Sequence, residues 1–288
     1  MFDRIRQWQK YLTLLGALAG VAALFMPHKL AAELVPVDVE LMLAVDVSGS
    51  ADWQEAELQR DGFIQVNKSP EFVKVIKTGF LGKIAVTYIE WAGDGYQTEV
   101  VDWVIIKDLA SAEAFAQTLK DAPIDTGSWP SIRNVIKYAA PKFFTNNYQR
   151  TRRILDISGD GPYNIGSLVT QTRDAAIKQG ITINGLPIIN DWLQPSGRRK
   201  FAILDEYYAA CVIGNPGAFL VVAHSLKDFV RAIRCKMIFE IAGITSDNWR
   251  VDIIKPLTQQ QNVALLNQPG YDIGERRLLR RRSFGDEF

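Results

Sequence analysis

Histidine is nearly absent from this chain: two in 288 residues, His28 and His224. A Ser-His-Asp hydrolase needs a histidine as its base, and beyond the first thirty residues only His224 is left to serve. No G-x-S-x-G elbow occurs either. Cysteine is as scarce, with Cys211 and Cys235 alone, which excludes a disulfide scaffold. Spacing leaves open whether those two are bonded or are simply two small buried side chains. No sign of charge predominates: 33 basic residues stand against 32 acidic ones, so the chain lacks the basic footprint of a nucleic-acid binder. There is no internal repeat. The uncharged apolar stretch at 11–26 has 16 residues, short of the roughly 20 of a spanning helix.

What is present is ordinary globular composition, 48% hydrophobic and 23% charged, over an unusual start. Arg4, Arg6 and Lys10 precede the apolar stretch, and the small residues Ala31 and Ala32 follow it. A basic flank, a short apolar run and a small-residue site form the pattern of a secretory signal peptide spanning 1–32. An uncleaved amino-terminal anchor, giving membrane association, is the alternative. Either way the expectation is a periplasmic or secreted protein. Four of the basic residues and one acid lie in 1–32, so the remainder carries a net charge of −2.

The segment 35–48, "VPVDVELMLAVDVS", is nearly continuous in apolar character and reads as a strand buried on both faces. Helical spacing follows over 51–69. Strands are expected at 83–93 and 98–107, and the short "DGYQ" between them suits an antiparallel hairpin. Helices are expected at 111–122 and 131–144, then a strand at 152–158. A helix at 166–180 ends on Gly180 as its carboxyl cap. A strand at 181–189, a helix at 200–214, a strand at 217–223 and a helix at 225–243 complete the series. Strands alternating with long helices mean an α/β fold. The expected architecture is one doubly wound, mainly parallel, six-stranded Rossmann-like sheet with helices on both faces, over 33–245. Residues 246–288, with a Gln run and a basic cluster at Arg276, Arg277, Arg280, Arg281 and Arg282, read as a weakly ordered extension.

The chemistry gathers where the first strand stops, in "AVDVSGSADW". Ligands of open α/β sheets bind outside the carboxyl ends of the strands, where strand order reverses. In an extended segment Asp46, Ser48 and Ser50 share a face, so one carboxylate and two hydroxyls converge. Hard oxygen donors of low total charge suit Mg²⁺, or Ca²⁺ in a looser cage. The amino terminus of the helix that follows disfavours a cation, which calls for a second acid. In "DISGDG" Asp160 stands just past the end of a later parallel strand and is the natural candidate. Asp156, inside that strand, reads as a paired buried acid or a support for the site from behind.

"DVSGS" followed by "SGDG" in an alternating chain resembles the von Willebrand factor A-type (VWA) domain with its metal-ion-dependent adhesion site, over about residues 36–243. "RILDISGDG", "ITINGLPI", "CVIGNPGAFLVVA" and "AIRCKMIFEIA" resemble, more closely, a bacterial branch of secreted VWA-like proteins of unknown function. The resemblance implies strand order 3-2-1-4-5-6 with an antiparallel edge. It implies Asp46, Ser48 and Ser50 as ligands of Mg²⁺ (or Ca²⁺ or Mn²⁺) and Asp160 as the distal acid, often acting through water. The family also uses a Thr from the loop before the helix at 131–144. Here that loop reads "IDTGSWPSIRN" without the usual Gly-Thr pair, leaving Ser128, then Ser131 or Thr126, as the fifth donor. In the family an open metal position accepts a carboxylate from a partner protein. The implied function is therefore binding, not catalysis; a metal-assisted hydrolase and a scaffold without metal are the alternatives. In the implied order His224 lies three strands from the first, roughly 14 Å at about 4.8 Å per strand, too far to serve Ser48 or Ser50.

Glu90 and Asp94 sit at the expected hairpin. Glu90 reads as half of a hairpin salt bridge, with the metal edge as the other option. Trp129 beside the site is either a partner contact or loop packing. The polar loop at 190–200, with Trp192, follows the fifth strand at the ligand-facing edge.

Overall fold

The computed structural model describes residues 33–48, 53–93, 95–127, 130–161, 168–189, 204–243 and 253–254. Packing divides the chain into Met1–Leu34, of which only residues 33 and 34 are described, and Val35–Phe288. The signal or anchor segment, Ser50, Asp94, Ser128, Trp129, the 190–200 loop and the Arg cluster lie outside the described residues.

The second unit is built on β1 (Val35–Asp46), β2 (Ile84–Trp91), β3 (Gln97–Ile106), β4 (Tyr148–Gly159), β5 (Ile181–Pro187), β6 (Leu220–Val221) and β7 (Ile253–Ile254). Their order is β3-β2-β1-β4-β5-β6-β7. β1 pairs in parallel with both β2 and β4, β4 with β5, and β5 with β6; β2–β3 and β6–β7 are antiparallel. The expected order and the expected hairpin are both present. The two-residue β7 adds a seventh strand, from the stretch read as an extension.

From Val39 to Asp46 every residue of β1 is buried. Alternate side chains serve opposite faces of the sheet. Leu41, Leu43 and Val45 face a layer built with Phe63 of α1 (Trp53–Asn67), Phe72 of α2 (Pro70–Lys77), Phe115 of α3 (Leu109–Asp121) and Phe229 of α7 (Leu226–Ala242). Met42 and Ala44 face Ile136 of α4 (Ile132–Lys142), Ala176 of α5 (Val169–Lys178) and Leu204 of the short α6 (Leu204–Tyr207). Helices therefore cover both faces, as a doubly wound sheet requires.

Three local expectations change. Helix α2 was not anticipated: Ser69 caps it, accepting a hydrogen bond from the Phe72 N–H, and Pro70 opens it. The helix expected over 200–214 is α6 followed by a π-helical turn at Tyr208–Val212. The strand expected over 217–223 is a ladder at 220–221 only, with a single bridge at Ala223. Just before it the Phe219 N–H turns to the Asn184 side chain, at 3.1 Å, instead of a neighbouring backbone. The choice left open for the cysteines is decided: Cys211 packs in the α4/α5 layer and Cys235 against the α1/α7 layer, on opposite sides of the sheet, so no disulfide joins them. Gly180 does end α5, with φ +78°.

Candidate metal centre

Asp46 is the last residue of β1 and is 4% exposed. The chain does not turn away at once. The Val47 N–H donates to the Trp91 carbonyl at the end of β2, and the Val47 carbonyl accepts from the Gly127 N–H, at 2.9 and 3.2 Å. Ser48 thereby pairs with Gly127 in a single parallel bridge. Asp46 and Ser48 point the same way, and the Asp46 Oδ1 accepts from the Ser48 N–H at 2.8 Å. On the other side β4 runs parallel to β1 with Val45 opposite Ser158, which carries Asp160 just past the strand end to the same edge.

These residues line a cleft of about 20 Å³, room for one water-sized species, together with Val47, Glu55, Ala56, Gln59 and Thr126. Among the described residues neither the Asp46 Oδ2 nor the Ser48 Oγ has a hydrogen-bond partner, although both are buried. Burial raises the Asp46 pKa well above the ordinary carboxylate value. The charge of Asp160 adds to this, neighbouring Ser48, whose N–H donates to Oδ1, pulls it back, and Glu55 raises it again. Asp46, Asp160 and the Ser48 and Thr126 hydroxyls around one small cleft, with two buried oxygens unmet, form a donor set whose chemistry fits a hard divalent cation. The described residues hold no cluster of three or more His, Cys, Asp or Glu in metal-binding arrangement. Of the residues the motif singles out, Asp46, Ser48 and Asp160 line one cleft, together with Thr126.

Of the three hydroxyls left open for the fifth position, Thr126 lines the cleft. Ser131 is fully buried at the amino cap of α4, its Oγ also without a partner; Ser128 is not described. Ser48 does not cap the following helix, which begins at Trp53. Glu55 and Gln59 were missed by sequence reasoning. Their i, i+4 spacing on the first turns of α1 was the available signal, since it puts both on one face.

Glu90 departs from both of its readings. It faces neither the hairpin nor the cleft but a buried ion pair with Arg60 of α1, Nη2 to Oε1 2.6 Å. Arg60 also donates to the Ala122 and Pro123 carbonyls at 2.6 and 3.0 Å, so it ties the start of the Thr126 loop to α1 and β2. Hydrophobic surroundings favour pairing such a charge internally over a surface contact. Asp156 is the paired buried acid: its Oδ1 lies 2.5 Å from the Lys236 Nζ of α7. His224 is exposed beyond β6, three strands from β1.

Residues 36–245 match the family described as "Protein of unknown function (DUF1194)", and the chain belongs to that family. No curated protein matches it. Two structures of proximal thread matrix protein 1 (PTMP1) from the mussel byssus share the fold. One aligns at TM-score 0.53 with 13% identity, the other, with a zinc-occupied MIDAS motif, at 0.50 with 14%; each alignment covers 73% of this chain. This chain spans half the length of each of those structures. The conserved hypothetical protein BatB from Bacteroides thetaiotaomicron aligns at 0.47 with 17% identity, over 72% of this chain and all of its own. The fold is VWA-like.

Proposed function

We propose that this member of the DUF1194 family is a metal-dependent protein-binding module acting outside the cytoplasm, and not an enzyme. The observation that carries the proposal is the pair of buried oxygens, Asp46 Oδ2 and Ser48 Oγ, left without partners beside Asp160 in a one-water cleft. A desolvated carboxylate so placed costs several kcal/mol unless a cation meets it. Asp46, Ser48, Ser50 and Asp160 would hold the ion, with a hydroxyl from Thr126, Ser128 or Ser131. The zinc-occupied site of mussel PTMP1, on the same fold, supports a divalent metal at this edge. Mg²⁺ suits this all-oxygen set, as do Ca²⁺ and Mn²⁺. When bound, the ion supplies an electrophilic position for a carboxylate of a protein partner. Asp46 would orient its oxygens toward it from the end of β1, and Ser48 from the bridge to Gly127. Residues 1–32 take the chain into the periplasm or beyond, cleaved as a signal or retained as an anchor. The sparse histidine supports a binding role over hydrolysis.

Thermal unfolding of the full chain in chelator and in Mg²⁺ tests this. At 100 times Kd the stabilisation is about 2.7 kcal/mol, a rise of roughly 5–10 °C in Tm. Asp46→Ala abolishes the rise. Capture of a partner from envelope extract, lost on adding chelator, tests the binding role. A Tm indifferent to every divalent cation identifies instead a scaffold that has lost its metal. Turnover of generic ester or phosphate substrates sinks the non-enzymatic reading.

A further inference from the structure

Tyr208 is the first residue of the π-helical turn, fully buried on the α4/α5 side of the sheet. The Ile213 N–H donates to its carbonyl at 3.0 Å, the wide i to i+5 bond that lets a single turn bulge. Its ring lies along the sheet over two glycines. A Cβ on Gly185 of β5 would stand 2.6 Å from the ring Cδ1. A Cβ on Gly159, the last residue of β4, would stand 3.0 Å from the phenol oxygen and 2.9 Å from the Asp46 Oδ2. Both of those oxygens are buried and neither has a hydrogen-bond partner among the described residues. Two orphaned polar atoms thus face one small space that a glycine keeps clear, one a donor and the other an acceptor.

We infer that Tyr208 is a positioning residue of the metal centre, its O–H donating toward the Asp46 Oδ2 through one water in the space that Gly159 leaves clear. The inference rests on the cation reading proposed above. Two groups share one carboxylate: the Ser48 N–H donates to Oδ1 at 2.8 Å, and the phenol serves Oδ2 across the space over Gly159. Together they fix the plane of the carboxylate and the lone pairs it turns to the cleft. Outer partners of this kind shift metal affinity about 10- to 100-fold.

Calorimetric Mg²⁺ and Mn²⁺ titrations of the full chain test it, with wild type, Tyr208→Phe and Gly159→Ala compared. Tyr208→Phe lowers affinity 10- to 100-fold, while its Tm in chelator stays close to that of wild type, because the ring that packs over Gly185 is kept. Gly159→Ala, which presses a methyl group between the two oxygens, also weakens binding. A Tyr208→Phe affinity within twofold of wild type, or a Gly159→Ala protein that binds normally, overturns the inference and leaves the cation reading standing. Absence of binding by wild type overturns both.

Discussion

Ser48 shows how a residue can be wrong for the empty fold and right for a loaded site. Its hydroxyl is buried beside Asp46 and makes no hydrogen bond among the described residues. A buried hydroxyl without a partner costs about 1–3 kcal/mol, so its removal should be harmless or favourable where nothing binds. Ser48→Ala is expected to unfold in chelator at a temperature equal to or above wild type. In saturating Mg²⁺ it should lose most of the gain that wild type shows. Parallel thermal scans of the two proteins check both halves. Position 48 was legible in the sequence because the D-x-S-x-S spacing is local. Thr126 was legible only as one of three hydroxyls for the same role, and Glu55 and Gln59 not at all, because their approach to Asp46 depends on where a loop and a helix dock.

At the scale of elements, the loop carrying Thr126 and Gly127 is set by a side chain from elsewhere. Arg60 of α1 pairs with buried Glu90 of β2 and also holds the carbonyls of Ala122 and Pro123, where α3 hands over to that loop. Burial raises the Glu90 pKa and Arg60 opposes that rise. Arg60→Met leaves the carboxylate without its cation and the carbonyls without their donor. Breaking a buried pair in this way destabilises by about 3–5 kcal/mol, to be read from urea unfolding. The same variant should weaken Mg²⁺ binding, because the loop that backs the cleft loses its anchor. Helix α2 illustrates the opposite case. Its start, Ser69 then Pro70, was written in the sequence as a cap and a first-turn proline, and was passed over because the helical spacing of α1 ran up to it. Ser69→Ala is expected to cost about 0.5–2 kcal/mol in the same assay.

Across the whole molecule one buried network joins the sheet to its longest described helix. Lys236 of α7 lies 2.5 Å from both Asp156 of β4 and Glu240, and Asn184 of β5 donates to Glu240 at 2.8 Å. Burial, reinforced by the charge of Asp156, lifts the Glu240 pKa from 4.5 to about 7. A carboxyl whose pKa is higher folded than unfolded holds its proton in the native state while the unfolded chain has released it. Stability therefore falls as pH rises from about 4.5 to 7 and levels off above. The loss attributable to Glu240 is on the order of 3 kcal/mol at most. Asp156, also raised by burial, contributes with the same sign. Urea midpoints at pH 5 and pH 7.5 should show this decline in wild type and a shallower one in Glu240→Gln. A slope unchanged by the substitution would place the titration elsewhere.

The α/β alternation, the buried β1, the antiparallel hairpin and the acid-hydroxyl cluster at the end of β1 were all readable from the chain itself. Each depends on spacing within a few residues, through alternation along a strand, periodicity along a helix or the chemistry of a turn. Tertiary structure alone decided which groups come together across the sequence: Arg60 paired with Glu90, Lys236 with Asp156, and Tyr208 and Asp46 each with an oxygen beside Gly159. Those partners lie 30 to 162 positions apart, and nothing local to either member encodes the distance between them. Two cysteines on opposite faces of one sheet make the same point, since which face a residue serves follows from the docking of its element.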